Sequence, residues 1–244
     1  MIPFPARLFL HVVSVGLLVA CLAYWWLDNL AHEIFGTAMF LLAAIHIVIN
    51  RRWYGVAFRG RYNAMRILNT ATIIGLVITM TMMLVTSILI SRDVFAFASL
   101  DGAFGVREIH LFAAYWIVLI VAMHLGFRWP VVMMVSRRTL GITGTNAVRM
   151  LLIRIGVGVV AVLGIKSTFE MAFGSKLMLT YTLDLWDFNE STLGFFLNYG
   201  SIVTLVAALV YYGSRPFKGR ERLICPSSAS RREHIERFEE RDRC

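Results

Sequence analysis

Residues 67–90 read ILNTATIIGLVITMTMMLVTSILI, a run with no acid, base or proline. At 1.5 Å per residue a helix of this run covers about 36 Å, enough to cross a hydrocarbon core of about 30 Å. Backbone N–H and C=O groups in lipid have no water to bond, so a lone run of this kind satisfies them as a helix. The alternation of polar and apolar residues expected of a barrel strand is absent. Five further apolar runs flank it, at 8–27, 31–50, 109–127, 151–172 and 193–213. Only the fifth span, 151–172, carries several charges: Arg154, Lys166 and Glu170. Composition agrees: 58% of the 244 residues are hydrophobic and 16% charged, against roughly a quarter charged in soluble domains. A soluble enzyme, a disordered chain and a disulfide scaffold are all excluded, and an all-α membrane protein of six transmembrane helices is expected.

The formal charge of +9 is distributed by loop. Arg51, Arg52, Arg59, Arg61 and Arg66 lie between the second and third spans. Arg128, Arg137, Arg138 and Arg149 lie between the fourth and fifth, with Arg154 just inside the start of the fifth, and neither group includes an acid. The other connections carry Asp28 and Glu33; Arg92, Asp93, Asp101, Arg107 and Glu108; and Lys176, Asp184, Asp187 and Glu190. By the positive-inside rule the arginine loops, the amino end and the tail from Arg215 face the cytoplasm. The expected location is thus a bacterial-type inner (plasma) membrane, multi-pass, with both termini cytoplasmic. No small-x-small site precedes Trp25-Trp26, so the first run is read as a retained span. Nothing in the charge pattern points to nucleic acid.

Four of six histidines fall in the second and fourth spans. His32 and His46 are 14 residues apart, and so are His110 and His124. Fourteen residues is four turns at 3.5 residues per turn, so each pair leaves one helix face, about 21 Å apart along the axis. One span intervenes, which makes the two helices parallel and sets His32 level with His110 and His46 level with His124. Paired imidazoles inside a membrane suit a haem iron with two axial histidines. A zinc or copper site would call for more ligands at each level, and a proton relay for more acids than Glu33. Without a CxxCH sequence, covalent c-type haem is excluded. The bland alternative, four histidines that only hydrogen-bond across helices, makes the repeated interval a coincidence.

Gly36 lies one turn beyond His32, where a small residue lets a macrocycle approach the backbone or lets two helices pack. Arg92 and Arg107, near the His32 level, are candidates for haem propionates, as are Arg52 and Arg128 near the His46 level; interfacial charge is the competing reading. His11 reads as an interfacial or packing histidine without a partner at the 14-residue interval, or as a quinone contact. Lys166 and Glu170 read as an i,i+4 pair or as part of a quinol site.

The run His32-Glu33-Ile34-Phe35-Gly36, His46 to Asn50 with Trp53, Arg107-Glu108-Ile109-His110, and His124-Leu125-Gly126 ahead of Trp129 resembles the flavinylation-associated cytochromes, small membrane b-type haem proteins. A more distant likeness is to cytochrome b subunits of membrane dehydrogenases and reductases. The resemblance covers residues 30–130. It implies two haem b groups, with axial pairs His32/His110 and His46/His124, and electron delivery to extracytosolic proteins bearing flavin. Residues 1–135 are then a four-helix di-haem bundle, 136–213 two additional helices with an extracytosolic loop, and 214–244 a cytosolic tail. The expected function is an electron-transfer subunit of an oxidoreductase, not a self-contained enzyme. Its expected partners are membrane quinone or quinol, the lipid bilayer and an extracytosolic flavoprotein or other redox protein. Two alternatives compete. One is a ferric-reductase-type conduit served by a separate cytosolic flavoprotein, since the tail has no Gly-rich dinucleotide signature. The other is a haem-free carrier or scaffold.

Overall fold

The computed structural model describes residues 4–57, 63–100, 104–142, 144, 146–180 and 186–217. Arg59, Arg61, Asp101, Asp184, His234 and the tail beyond 217, expected to be cytosolic, lie outside the described residues, as does the side chain of Arg52. The described residues form α1 (Phe4–Cys21), α2 (Tyr24–Ile49), α3 (Arg52–Ala57), α4 (Ala64–Ile90), α5 (Phe104–Thr139), α6 (Ala147–Glu170), α7 (Phe173–Leu177) and α8 (Phe188–Gly213). One 3-10 turn, Ala96–Ala98, joins α4 to α5. No strand occurs among them.

Among the described residues five helices are long and apolar enough to cross a membrane: α2, α4, α5, α6 and α8 with its continuation to Phe217. In α1 the apolar stretch is only Leu8–Cys21. The chain is an all-helical, multi-pass membrane protein. Its exterior agrees, because Leu41, Ile78, Leu152, Val162 and Leu209 are each more than 60% exposed. Such a surface is untenable in water and ordinary in lipid.

Helix ends follow from local chemistry. Asn63, Asn146 and Asp187 cap α4, α6 and α8 by accepting from the N–H groups of Arg66, Arg149 and Asn189. The first span ends earlier than 27: α1 stops at Cys21, and Trp25 and Trp26 belong to α2. Within α2, Asp28 adopts φ 65° and ψ 178°, and its Oδ1 accepts from Ala31 N–H at 3.0 Å. Asp28 is therefore the working N-cap of the membrane part of α2. Hydroxyls inside the spans, such as those of Thr72, Thr79, Thr86 and Ser201, donate to carbonyls four residues back, which meets their needs in lipid.

The core forms around α5, where Ala113, Ile117, Val118 and Ala122 are almost fully buried. Helix α5 packs on α4, α8 and α1, while α6 packs on α8. The two close approaches rest on glycine. A Cβ on Gly126 would meet the Ala207 carbonyl at 2.6 Å and Val210 Cβ at 2.8 Å. A Cβ on Gly164 would collide with the Ser201 carbonyl and meet Leu205 Cβ at 2.8 Å. Helix α2 differs, because its substantial helix–helix packing is against α1 alone. It stands apart from α5, and the histidines border the gap.

Candidate cofactor site

The gap is tied at one end by Glu33. Its carboxylate accepts from Asn29 Nδ2 at 2.8 Å, Ser91 Oγ at 2.7 Å and the backbone N–H groups of Arg92 and Val94, each at 2.7 Å. Asn29 also donates to Asp93 at 2.6 Å. The start of α2 is thus fastened to the turn that follows α4. An acid this heavily bonded is an anchor between elements, which answers the question its place beside His32 raises.

Next to the anchor, the rings of His32 and His110 face each other with centroids 6.3 Å apart and planes at 65°. A metal–imidazole bond of about 2 Å, with the ring centre roughly 1.1 Å further on, sets two axial imidazoles about 6 Å apart. The observed pair fits that requirement. Thr86 Oγ1 lies 2.8 Å from the Met82 carbonyl and 3.1 Å from His110 Nδ1. When its one proton goes to the carbonyl, its oxygen accepts the Nδ1–H of His110 and the Nε2 lone pair is left for a ligand. His32 Nδ1 is buried beside the Cys21 backbone without a hydrogen bond of good geometry.

These rings border a cavity of about 980 Å³, within the range of ligand sites. Gly36, Arg92, Arg107 and Lys176 also line it. A Cβ on Gly36 would meet nothing within 4 Å, so this glycine opens onto the cavity and contacts no neighbouring helix. Arg92 and Arg107 bring positive charge to the same space as the imidazoles, as propionates or other carboxylates require. Lys176, lying 5.6 Å from the centre of the Tyr115 ring, is a third cation there that sequence reasoning missed. Only the hairpin between α6 and α8 brings it near. Lys166 and Glu170 form an exposed ion pair at 2.9 Å. Of the two, only Glu170 borders the cavity.

At the other level the structure adds a residue. His46 Nδ1 lies 2.8 Å from His11 Nε2, and the two rings meet edge to face at 4.7 Å. His11 is therefore no isolated interfacial histidine: the α1–α2 hairpin delivers it to His46. A repeated interval within α2 and α5 could not reveal this, because hairpin register sets it. His124, on α5, lies within electrostatic reach of His46, His11 and Arg128, and its Nδ1 is buried without a hydrogen-bond partner. Among the described residues no group of three or more His, Cys, Asp or Glu could hold a metal ion. His32 pairs with His110, and His46 with His11.

No protein-family model, curated protein sequence or solved structure matches the chain. The functional reading therefore rests on the geometry of the site.

Proposed function

We propose that the chain is a di-haem b-type membrane cytochrome that passes electrons across the bilayer. The observation that carries this is the ring pair His32 and His110, centroids 6.3 Å apart at the border of the cavity. His32 and His110 would hold one haem, and His46 and His124 the other. Bound haem supplies a reversible one-electron carrier. The chain's own residues set where it sits: Thr86 orients one ligand, Gly36 admits a flat group, Arg92 and Arg107 attract its carboxylates, and Glu33 holds α2 at the right height. Arg128 is a candidate for the same task at the second level.

In this reading α1 is the sixth span. It runs antiparallel beside α2, with Cys21 near His32 at one end and His11 beside His46 at the other. It therefore covers the same depth as α2 between the two levels. The arginine loops and both termini lie on the cytoplasmic side. A membrane quinol donor and an extracytosolic, flavin-bearing acceptor complete the proposal, the second on the strength of the resemblance in residues 30–130.

The test is the absorption spectrum of the full-length protein purified from membranes. Two b-type haems per chain are expected, with His110→Ala reduced to one. A wild-type protein that folds and is recovered without haem, even after haem supplementation during expression, overturns the reading and leaves the carrier or scaffold.

A further inference from the structure

We infer that His11 is a positioning residue: it accepts the Nδ1 proton of His46 and so orients and electronically tunes that ligand of the second haem. The inference rests on the di-haem reading and goes beyond it, since neither the repeated interval nor the resemblance includes residue 11.

The argument begins with proton count. A neutral imidazole carries one N–H. If His46 offers its Nε2 lone pair to iron, its proton sits on Nδ1 and needs an acceptor. The atom 2.8 Å away is His11 Nε2, which must then be unprotonated, with the His11 proton on Nδ1. One contact thereby sets the tautomers of both rings. The edge-to-face approach at 4.7 Å agrees with a ring-edge N–H pointing at a lone pair. At the other end of the His46 residue, Asn50 Nδ2 donates to its carbonyl at 2.8 Å.

The first level has the same device in a weaker form. There His110 Nδ1 meets the Thr86 hydroxyl oxygen at 3.1 Å, and that hydroxyl already donates to a carbonyl. An imidazole nitrogen is a better acceptor than a hydroxyl oxygen. A partner that accepts the distal N–H makes the ligand more basic, and a more basic ligand favours ferric over ferrous iron. The two haems would therefore be inequivalent by construction, and His11 would lower the midpoint potential of the second.

The experiment uses full-length protein in detergent or nanodiscs: redox-titrated optical spectra and low-temperature EPR of wild type, His11→Leu and His11→Gln. His11→Leu should keep two haems while one midpoint rises and one low-spin EPR signal changes, the other haem being unaffected. His11→Gln restores an acceptor and should fall between. Loss of one haem in His11→Leu that His11→Gln recovers also supports the acceptor role. Two unchanged midpoints and EPR signals in a two-haem His11→Leu protein overturn the inference. Equal haem loss in both variants does so too, making His11 a packing residue. Either failure leaves the di-haem reading standing, whereas wild type without haem removes that reading instead.

Discussion

At the scale of single residues, the informative groups are those whose hydrogen bonds close and those whose bonds do not. Thr86 closes the needs of His110, which is 9% exposed. Thr86→Val keeps the shape and strands the Nδ1–H, at a cost of about 1–3 kcal/mol. The expected result is a lower midpoint of thermal unfolding in detergent and, under the haem reading, a perturbed spectrum of the first haem alone. Glu33 is the second case. Glu33→Ala removes an acceptor shared by five donors of the α2 start and the α4–α5 turn. A loss of about 1–3 kcal/mol is expected, with, under the haem reading, haem loss confined to the His32 level, while Glu33→Gln retains part of both. Haem content and thermal unfolding measured on the same samples decide it; unchanged haem in Glu33→Ala would separate the anchor from the site. The four spaced histidines were readable from sequence because helical periodicity translates directly into a face. Glu33, Thr86 and His11 were not, since their partners are 58, 24 and 35 residues distant and no local pattern encodes such pairings.

At the scale of elements, glycine separates packing from cavity. Gly126 and Gly164 lie where a Cβ has no room, while Gly36 faces open space. Gly164→Leu should therefore force α6 and α8 apart, costing at least the roughly 1–3 kcal/mol typical of overpacking, with no direct effect on the cavity. Gly36→Leu should leave the apoprotein as stable as wild type, or slightly more so given the poor helix propensity of glycine. Under the haem reading it should lower occupancy of the first site. Comparing haem per chain and thermal unfolding for the two variants checks both halves at once. The sequence left Gly36 undecided between macrocycle approach and helix packing, because a glycine in a span has the same local appearance in either role. What distinguishes them is the distance between α2 and its neighbours. The long helices were all readable in the sequence, but not all of their ends: α5 runs to Thr139, twelve residues past the expected 127, and α2 starts at Tyr24 rather than 31. There the apolar run continues through Trp25 and Trp26, and the chain turns at Cys21–Tyr24 and again at Asp28.

At the scale of the whole molecule, the number of spans turns on α1. Its apolar stretch Leu8–Cys21 is short for a bilayer, about 21 Å at 1.5 Å per residue. Yet α1 is not a surface helix by its contacts. It packs along α2 and against α5, Leu18 and Val19 are buried, and His11 reaches the second histidine level. A helix that accompanies a membrane span from one histidine level to the other has to share its depth, and local bilayer thinning or interfacial anchors can absorb a mismatch of several ångströms. The charge distribution leads to the same count, since Arg7 precedes α1 and the arginine-rich loops follow α2 and α5. Reporter fusions settle the matter: a fusion at the amino end and one after residue 140 should report the cytoplasmic side, and one after residue 99 the opposite side. An amino end on the same side as residue 99 would make α1 a non-spanning helix. It would leave five spans, place the termini on opposite faces, and require His11 to reach His46 from a helix that only enters the membrane.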